Sequence, residues 1–340
     1  MITDAIVKIT NKKNLEFAEM QTIIEEIIEG KATDAQMAAF LTALRIKSET
    51  VEEITAAAQA MKNKCIPVDF KTPDAIDIVG TGGDCAGTFN ISTAAAFIAA
   101  SAGCKVAKHG NRSSSSKSGA ADVLEAMGAN INLKPEENIA LLKKLGICFM
   151  YAPNYHPGMK FVANVRHQIG IRTLFNIIGP LVNPAHTKMQ LIGVYDEKLV
   201  KPIAEALKNL GIINGMTLHG ADGLDEATIT GPTLISEIKN SKITSYTIHP
   251  HDFGLKTASL QDIRGGDPKE NSKILYEIFT GKDTGPKRDI ALLNAALLLY
   301  ITQITSNIKD GIDLAKSALD KGFTKTTLDN FIKLSNNFDC

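Results

Sequence analysis

Three short stretches carry most of the side chains able to act on a charged ligand: Gly80-Thr81-Gly82-Gly83-Asp84, Asn90-Ile91-Ser92-Thr93 and Lys108-His109-Gly110-Asn111-Arg112-Ser113. Gly80, Gly82, Gly83 and Gly87 let a chain turn sharply and bring backbone N–H groups close to an anion. Ser92 and Thr93 stand where a helical pattern begins, so their hydroxyls and the positive helix end face the same place. Lys108, His109, Arg112 and Lys117 add positive charge, and Ser113, Ser114, Ser115 and Ser116 add hydroxyls with their own N–H donors. Together these groups suit a sugar bearing several phosphates. No proton-transfer role attaches to His109.

Two commoner glycine motifs do not fit. A phosphate loop of the Walker type needs Lys-Ser/Thr after its last glycine, and Thr88-Phe89 follows Gly87 instead. The dinucleotide fingerprint needs glycine or alanine where Cys85 stands, and an acidic residue about twenty positions on, where Lys105 lies. Alone, a glycine cluster is as often a bare strand–helix turn, and a serine run is more often a linker. The two occurring within one strand–helix–strand unit tilt the balance to phosphate binding.

The elements that position these stretches are legible in the pattern. Ala75–Val79 is a short apolar run closed by glycine, which reads as a buried parallel strand. Thr93–Ala100 reads as a helix ended by Gly103, and Cys104–Ala107 as the next strand, with Ser118–Met127 helical after it. Further strands are expected at Ile147–Tyr151, Gln190–Tyr195 and Met216–His219, and helices at Lys198–Leu210, Asn271–Thr280 and Asp289–Ile301. Alternating strands and helices imply a mainly parallel sheet flanked by helices, with ligands at its carboxyl edge. The first seventy residues read as helices only, two of them opened by capping boxes, Thr33 with Gln36 and Thr50 with Glu53. The fold class is therefore α/β: a small helical domain, 1–70, and a larger domain, 71–340, with a mainly parallel sheet flanked by helices.

Composition narrows the partners. Lys plus Arg equal Asp plus Glu at 37 each over 340 residues, so no global field attracts nucleic acid or anionic lipid. The five cysteines lack paired metal spacings, and the start shows no secretory segment, which together point to reduced thiols in the cytoplasm. No apolar run is long enough to span a bilayer without charge.

The ordered set of motifs closely resembles the anthranilate phosphoribosyltransferase family. Beyond the three stretches, it includes Ala152–Pro157, Arg172–Asn176, Gly179-Pro180-Leu181, Asn183-Pro184, His219-Gly220, Gly223–Glu226 and Gly285–Asp289, covering almost the whole chain. The resemblance implies transfer of the phosphoribosyl group from phosphoribosyl diphosphate to anthranilate in tryptophan biosynthesis. It implies donor binding by Gly80, Gly83, Asp84, Thr88, Asn90, Ile91, Ser92, Thr93, Lys108, His109, Gly110, Asn111, Arg112, Ser113 to Ser116 and the position of Ala120. Gly80, Asn111 and Arg166 would meet anthranilate, and Ser92, Asp225 and Glu226 would bind Mg2+. It implies that 159–183 returns to the helical domain and that the chain forms a homodimer, and it admits association with anthranilate synthase.

The chemistry so implied needs no nucleophilic side chain and no acid–base residue. An aryl amine is already unprotonated near neutrality, so alignment and leaving-group stabilisation carry the rate. The sequence departs from the commoner family pattern at Cys85-Ala86-Gly87, at Ala120 (serine in many relatives), at Gly158 and at Asn164. Ala120 therefore offers no side-chain contact to the donor. A pyrimidine nucleoside phosphorylase of similar fold is the nearest alternative, though it normally has a longer carboxyl-terminal extension. A noncatalytic nucleic-acid-binding relative is another, which the charge balance and Asp225-Glu226 oppose.

Overall fold

Four helices open the chain, Ile2–Thr10, Phe17–Ile28, Asp34–Lys47 and Val51–Lys64. The computed structural model describes residues 1–71, 74–83, 86–113 and 117–338. Both capping boxes form: the Thr33 side chain accepts from the Gln36 N–H and the Thr50 side chain from the Glu53 N–H. Glu53 also binds the bundle together. Its fully buried carboxylate pairs with Lys47 at 2.8 Å and accepts the N–H of Leu15 at 2.9 Å. Helices Lys160–Ile169 and Leu174–Ile178 pack on these opening helices, and Val162, Val165, Leu174 and Phe175 join one apolar cluster with Ile23, Phe40 and Ala57.

Among the described residues seven strands form one sheet: β1 Ala75–Gly80, β2 Lys105–Gly110, β3 Ile147–Tyr151, β4 Met189–Gly193, β5 Asn214–Gly220, β6 Thr233–Lys239 and β7 Lys242–Ile248. Their order is β3-β2-β1-β4-β5-β6-β7. The first five are parallel, while β6 and β7 continue the sheet antiparallel beyond β5. This hairpin is an addition to the strands legible in the sequence.

Alternate residues of a strand face opposite sides, and the apolar clusters follow that rule. Leu191 of β4 belongs to one cluster and its neighbour Ile192 to the other. On the first face, helices Ile91–Ser101 and Pro286–Ile301 pack together, with Ala94, Ala95, Ala96 and Ala99 fully buried. Small side chains let those helices approach the sheet closely. On the second face, helix Val200–Asn209 joins the sheet to the opening bundle through Val51–Lys64. The helices expected at Asn271 and Asp289 begin earlier, at Pro268 and Pro286, because proline is favoured at a first helical position. Helices Pro135–Leu145, Ile308–Asp320 and Phe323–Ser335 complete the chain.

Candidate active site

The strand order reverses between β1 and β4, and the first two glycine-bounded strands end there. In open α/β sheets such a switch point opens a crevice outside the carboxyl ends. Three side chains shape it. The β1–β2 ladder is registered only at Ala75↔Lys105 and Ile76↔Val106, whereas β1–β4 pairing continues to Gly80↔Gly193. Beyond Ile76 the backbone groups of the separating strands need other partners. Asp77 Oδ1 accepts the His109 N–H at 3.0 Å, Asn183 Nδ2 donates to the Ala107 carbonyl at 2.9 Å, and Lys108 Nζ donates to the Ile78 carbonyl at 2.6 Å.

Lys108 and His109 are neighbours on a strand, so only one can face the helix Ile91–Ser101. Lys108 does so, with Nζ 3.4 Å from Ser92 Oγ. Burial lowers its pKa, and Asp77, Glu226 and Asp225 act against that. Burial in turn pushes Asp77 up to about 6, opposed by the Asn183 amide and the Lys108 ammonium. His109 lies on the other side, its ring 5.1 Å from that of His156.

Both histidines are buried, with Nε2 unpartnered among the described residues. Burial pushes His156 down to about 4 and holds His109 well below its usual value, with repulsion from His156 and Lys108 adding to the latter. An unfolded histidine takes up its proton near pH 6.5, so below that pH the unfolded chain binds more protons and folding weakens. Between pH 6.5 and 4, His156 alone is expected to lower stability by about 3 kcal/mol at about 1.4 kcal/mol per pH unit. Asp77 acts in the opposite sense, since its raised pKa favours the folded chain as pH falls below 6. The comparison with His156→Phe separates the two. In urea unfolding, wild type should lose stability relative to the variant as pH falls; parallel curves would remove His156 from that role.

The glycine loop is held from across the sheet. Asp225 Oδ2 accepts the Gly82 N–H at 2.6 Å. A side chain on Gly80 would overlap that carboxylate, and one on Gly193 would collide with the Asp225 carbonyl oxygen. The sequence assigns Gly80, with Gly82, Gly83 and Gly87, to an anion's approach, but at Gly80 the missing side chain makes room for Asp225. Thr88 and Phe89 lie beside 263–265, through a Thr88–Arg264 bridge and a Gly265 N–H to Gly87 carbonyl bond of 2.9 Å.

Asn90 does not cap the helix it precedes. Its amide instead donates to the Ser118 carbonyl at 3.1 Å and accepts from Asn271 Nδ2 at 3.0 Å. The helix N-terminus is thus left without its customary side-chain acceptor. Ile91 and Thr93 are buried, while Ser92 is half-buried and the hydroxyl nearest Lys108. Gly110 packs against Phe149, Asn111 Oδ1 accepts the Arg112 N–H at 2.7 Å, and Ala120 begins the helix Ala120–Ala126. Arg112 turns toward that helix, pairing with Asp122 at 2.9 Å and with Glu125, 5.5 Å above the Tyr151 ring. The Ser113 N–H donates to Asp122 at 3.0 Å. Asp84 and Ser114 to Ser116 lie outside the described residues.

Arg166 sits half-buried on helix Lys160–Ile169, its guanidinium pKa lowered by burial. Among the described residues it makes no side-chain hydrogen bond or ion pair. Asn271, Ser118, Arg172 and Tyr195 contribute to the arrangement without having been singled out as site residues. Their signal is tertiary, since each braces a loop remote in sequence.

No group of three or more His, Cys, Asp or Glu side chains gathers as a metal cage among the described residues. Asp225 and Glu226 nevertheless provide hard carboxylate oxygens at the crevice, and Ser92 provides a hydroxyl. That donor set fits Mg2+, which favours one or two carboxylates together with waters and substrate phosphates.

A helical bundle beside an α/β domain, with a glycine loop and carboxylates meeting at the switch point, defines a two-domain glycosyltransferase. The glycosyl transferase family a/b domain matches residues 72–325, and the helical bundle domain of the same family matches 3–65. The chain is 48% identical over 339 residues to the anthranilate phosphoribosyltransferase of Ruminiclostridium cellulolyticum, covering 100% of this chain and 99% of that one. It is 46% identical over 336 residues to the Methanobrevibacter smithii protein of the same name, covering 99% and 100%. The crystal structure of the Thermus thermophilus enzyme superposes with a TM-score of 0.93 at 36% identity, covering 98% of this chain and 99% of that one. The Saccharomyces cerevisiae enzyme in complex with PRPP and Mg gives 0.90 at 30%, covering 99% and 98%. The chain belongs to the anthranilate phosphoribosyltransferase family, a family of pentosyltransferases.

Proposed function

We propose that the crevice at the ends of β1, β2 and β5 is where this enzyme's two substrates meet. The reaction transfers the 5-phosphoribosyl group from phosphoribosyl diphosphate to the nitrogen of anthranilate, giving N-(5-phosphoribosyl)anthranilate and diphosphate in tryptophan biosynthesis. The observation that carries the site reading is the Asp225 carboxylate seated against Gly80 and Gly82, which joins the glycine loop to the Asp225-Glu226 pair.

In this reading Gly80, Gly83, Asp84, Thr88, the 90–93 stretch and Lys108 to Ser116 hold the donor. Lys108 places a buried cation beside Ser92 at the uncapped helix end, suited to phosphate oxygens. The His109 and Arg112 side chains engage His156 and the Asp122–Glu125 pair, and their N–H groups are taken by Asp77 and Asn111, so these two residues contribute by shaping the loop. Ser92, Asp225 and Glu226 would hold Mg2+, which supplies charge neutralisation for the departing diphosphate. Arg166 binds the anthranilate carboxylate through paired charge-assisted hydrogen bonds, beside Asn111 and Gly80. The aryl amine attacks C1 of the ribose as the C1–oxygen bond to diphosphate breaks, and the amine proton passes to solvent. The protein aligns the reactants for this displacement.

Anthranilate fluorescence tests the whole reading: it should fall only when donor, Mg2+ and enzyme are all present. Arg166→Ala should raise the anthranilate KM about 10- to 150-fold, equivalent to about 1.5–3 kcal/mol for a charged hydrogen bond. Unchanged anthranilate kinetics would remove Arg166 from the acceptor site.

The same reading divides the chain into a helical unit, 1–70 with 159–183, and an α/β unit, 71–340, supported by the apolar cluster shared by the two helical segments. A cytoplasmic homodimer through the helical unit belongs to the same reading, and Val7 and Ile46, exposed at 59% and 78%, are apolar side chains that such an interface would cover. Light scattering that returns only 36.5 kDa at micromolar concentration would reject the dimer. Association with anthranilate synthase is a further part of the proposal, testable by co-purification. No described helix is long and apolar enough to cross a membrane.

A further inference from the structure

Arg172 follows the helix that carries Arg166, separated from it by Gly170 and Ile171, and reaches back to the glycine loop. Its Nη2 donates to the Gly83 carbonyl. The guanidinium also lies along the Cα of Gly83, where an added Cβ would stand 3.2 Å from Nε. It lies over the Tyr195 ring, with Cζ 4.3 Å from the ring centroid. Tyr195 is itself anchored to the same loop, because its N–H donates to Thr81 Oγ1 at 3.1 Å. The Thr81 N–H in turn donates to the Gly193 carbonyl at 2.9 Å. A closed circuit therefore runs from Thr81 through Tyr195 and Arg172 to Gly83.

We infer that Arg172 is a positioning residue that couples the acceptor-bearing segment to the donor-binding glycine loop. It rests on the reading of Gly80–Asp84 as the donor loop. Arg172 touches neither substrate in this account. Held over Tyr195, it presents a preoriented donor to Gly83 and so fixes the loop in one of the shapes glycine permits. The short stretch between Arg166 and Arg172 ties that shape to the position of the anthranilate-binding helix, so ordering one end favours the other.

The Tyr195 hydroxyl is buried without a partner among the described residues, so of its side chain only the ring serves the circuit. This yields a selective set of variants: Arg172→Gln, Arg172→Lys, Tyr195→Phe and Tyr195→Leu. Arg172→Gln should raise the donor KM about tenfold or more and weaken the mutual enhancement of donor and anthranilate binding, measured by titrating each in the presence and absence of the other. Anthranilate binding measured alone should stay within about twofold of wild type. Arg172→Lys should recover part of the donor affinity, Tyr195→Phe should match wild type, and Tyr195→Leu should resemble Arg172→Gln. The double variant Arg172→Gln/Tyr195→Leu should be no worse than either single one, as expected for two parts of one device.

Thermal unfolding run alongside separates loop positioning from general destabilisation: a falling Tm with unchanged donor KM would overturn the inference. So would a donor KM in Arg172→Gln equal to wild type, a Tyr195→Phe defect as large as that of Tyr195→Leu, or additive losses in the double variant. If wild type itself fails to bind phosphoribosyl diphosphate, the donor-loop reading falls instead.

Discussion

Replacing Gly193 with alanine should lower kcat/KM by about 100-fold or more, although residue 193 contacts no substrate in the proposed site. A Cβ there would stand 1.5 Å from the Asp225 carbonyl oxygen, and its next neighbours are the carbonyl carbon and Cα of the same residue. These are main-chain atoms, so no side-chain rotation relieves the collision. The turn carrying Asp225 and Glu226 must move, taking with it the carboxylate that accepts the Gly82 N–H. Displacing a reacting arrangement by about 1 Å is enough for a 100-fold loss. Overpacking of this kind also lowers stability by about 1–3 kcal/mol. Gly231→Ala is the control, since a Cβ there meets nothing within 4 Å. Wild-type turnover in Gly193→Ala would show that the close approach of β4 to Asp225 has no bearing on catalysis.

Asp225→Asn with Glu226→Gln is expected to reduce turnover by about 100-fold or more and to shift the Mg2+ titration to higher concentration. Removing a preoriented charge-stabilising group has effects of roughly that size, about 2.7–4 kcal/mol. The amide at 225 still offers an oxygen to the Gly82 N–H, so the substitution removes charge while leaving the loop an acceptor. That separates the two roles of Asp225. Turnover lost but regained at high Mg2+ supports metal binding. Overlaid Mg2+ titrations of variant and wild type would defeat that assignment.

The sequence displays local rules well and tertiary ones poorly. Capping boxes at Thr33 and Thr50 involve residues three apart, and both form. The parallel strands show as short apolar runs because both their faces are buried. The β6–β7 hairpin does not show in the sequence because neither Thr233–Lys239 nor Lys242–Ile248 alternates cleanly: Leu234-Ile235, Ser236-Glu237 and Thr244-Ser245 break the period of two. Its turn uses Asn240 and Ser241, at φ of 49° and 61°, without the glycine that usually marks a two-residue hairpin.

At the site, the glycine loop and the Asp225-Glu226 pair were visible as motifs, but not the contact between them, which joins residues 143 apart. Alternation along β2 would have sent Lys108 and His109 to opposite faces, a signal present in the sequence. The grip of Arg172 on Gly83 spans 89 positions and follows only from packing.

The hairpin has a consequence for solubility. A parallel sheet ending at β5 would present a bare row of amide and carbonyl groups on a strand whose interior residues Met216, Thr217 and Leu218 are all buried. Such an edge invites neighbouring molecules to pair with it. β6 satisfies that edge, and β7 becomes the outermost strand, opening with Lys242 and exposing Thr244, Ser245 and Thr247. A border strand of this kind discourages intermolecular zippering, so the hairpin serves as a guard against aggregation for a chain whose chemistry lies elsewhere.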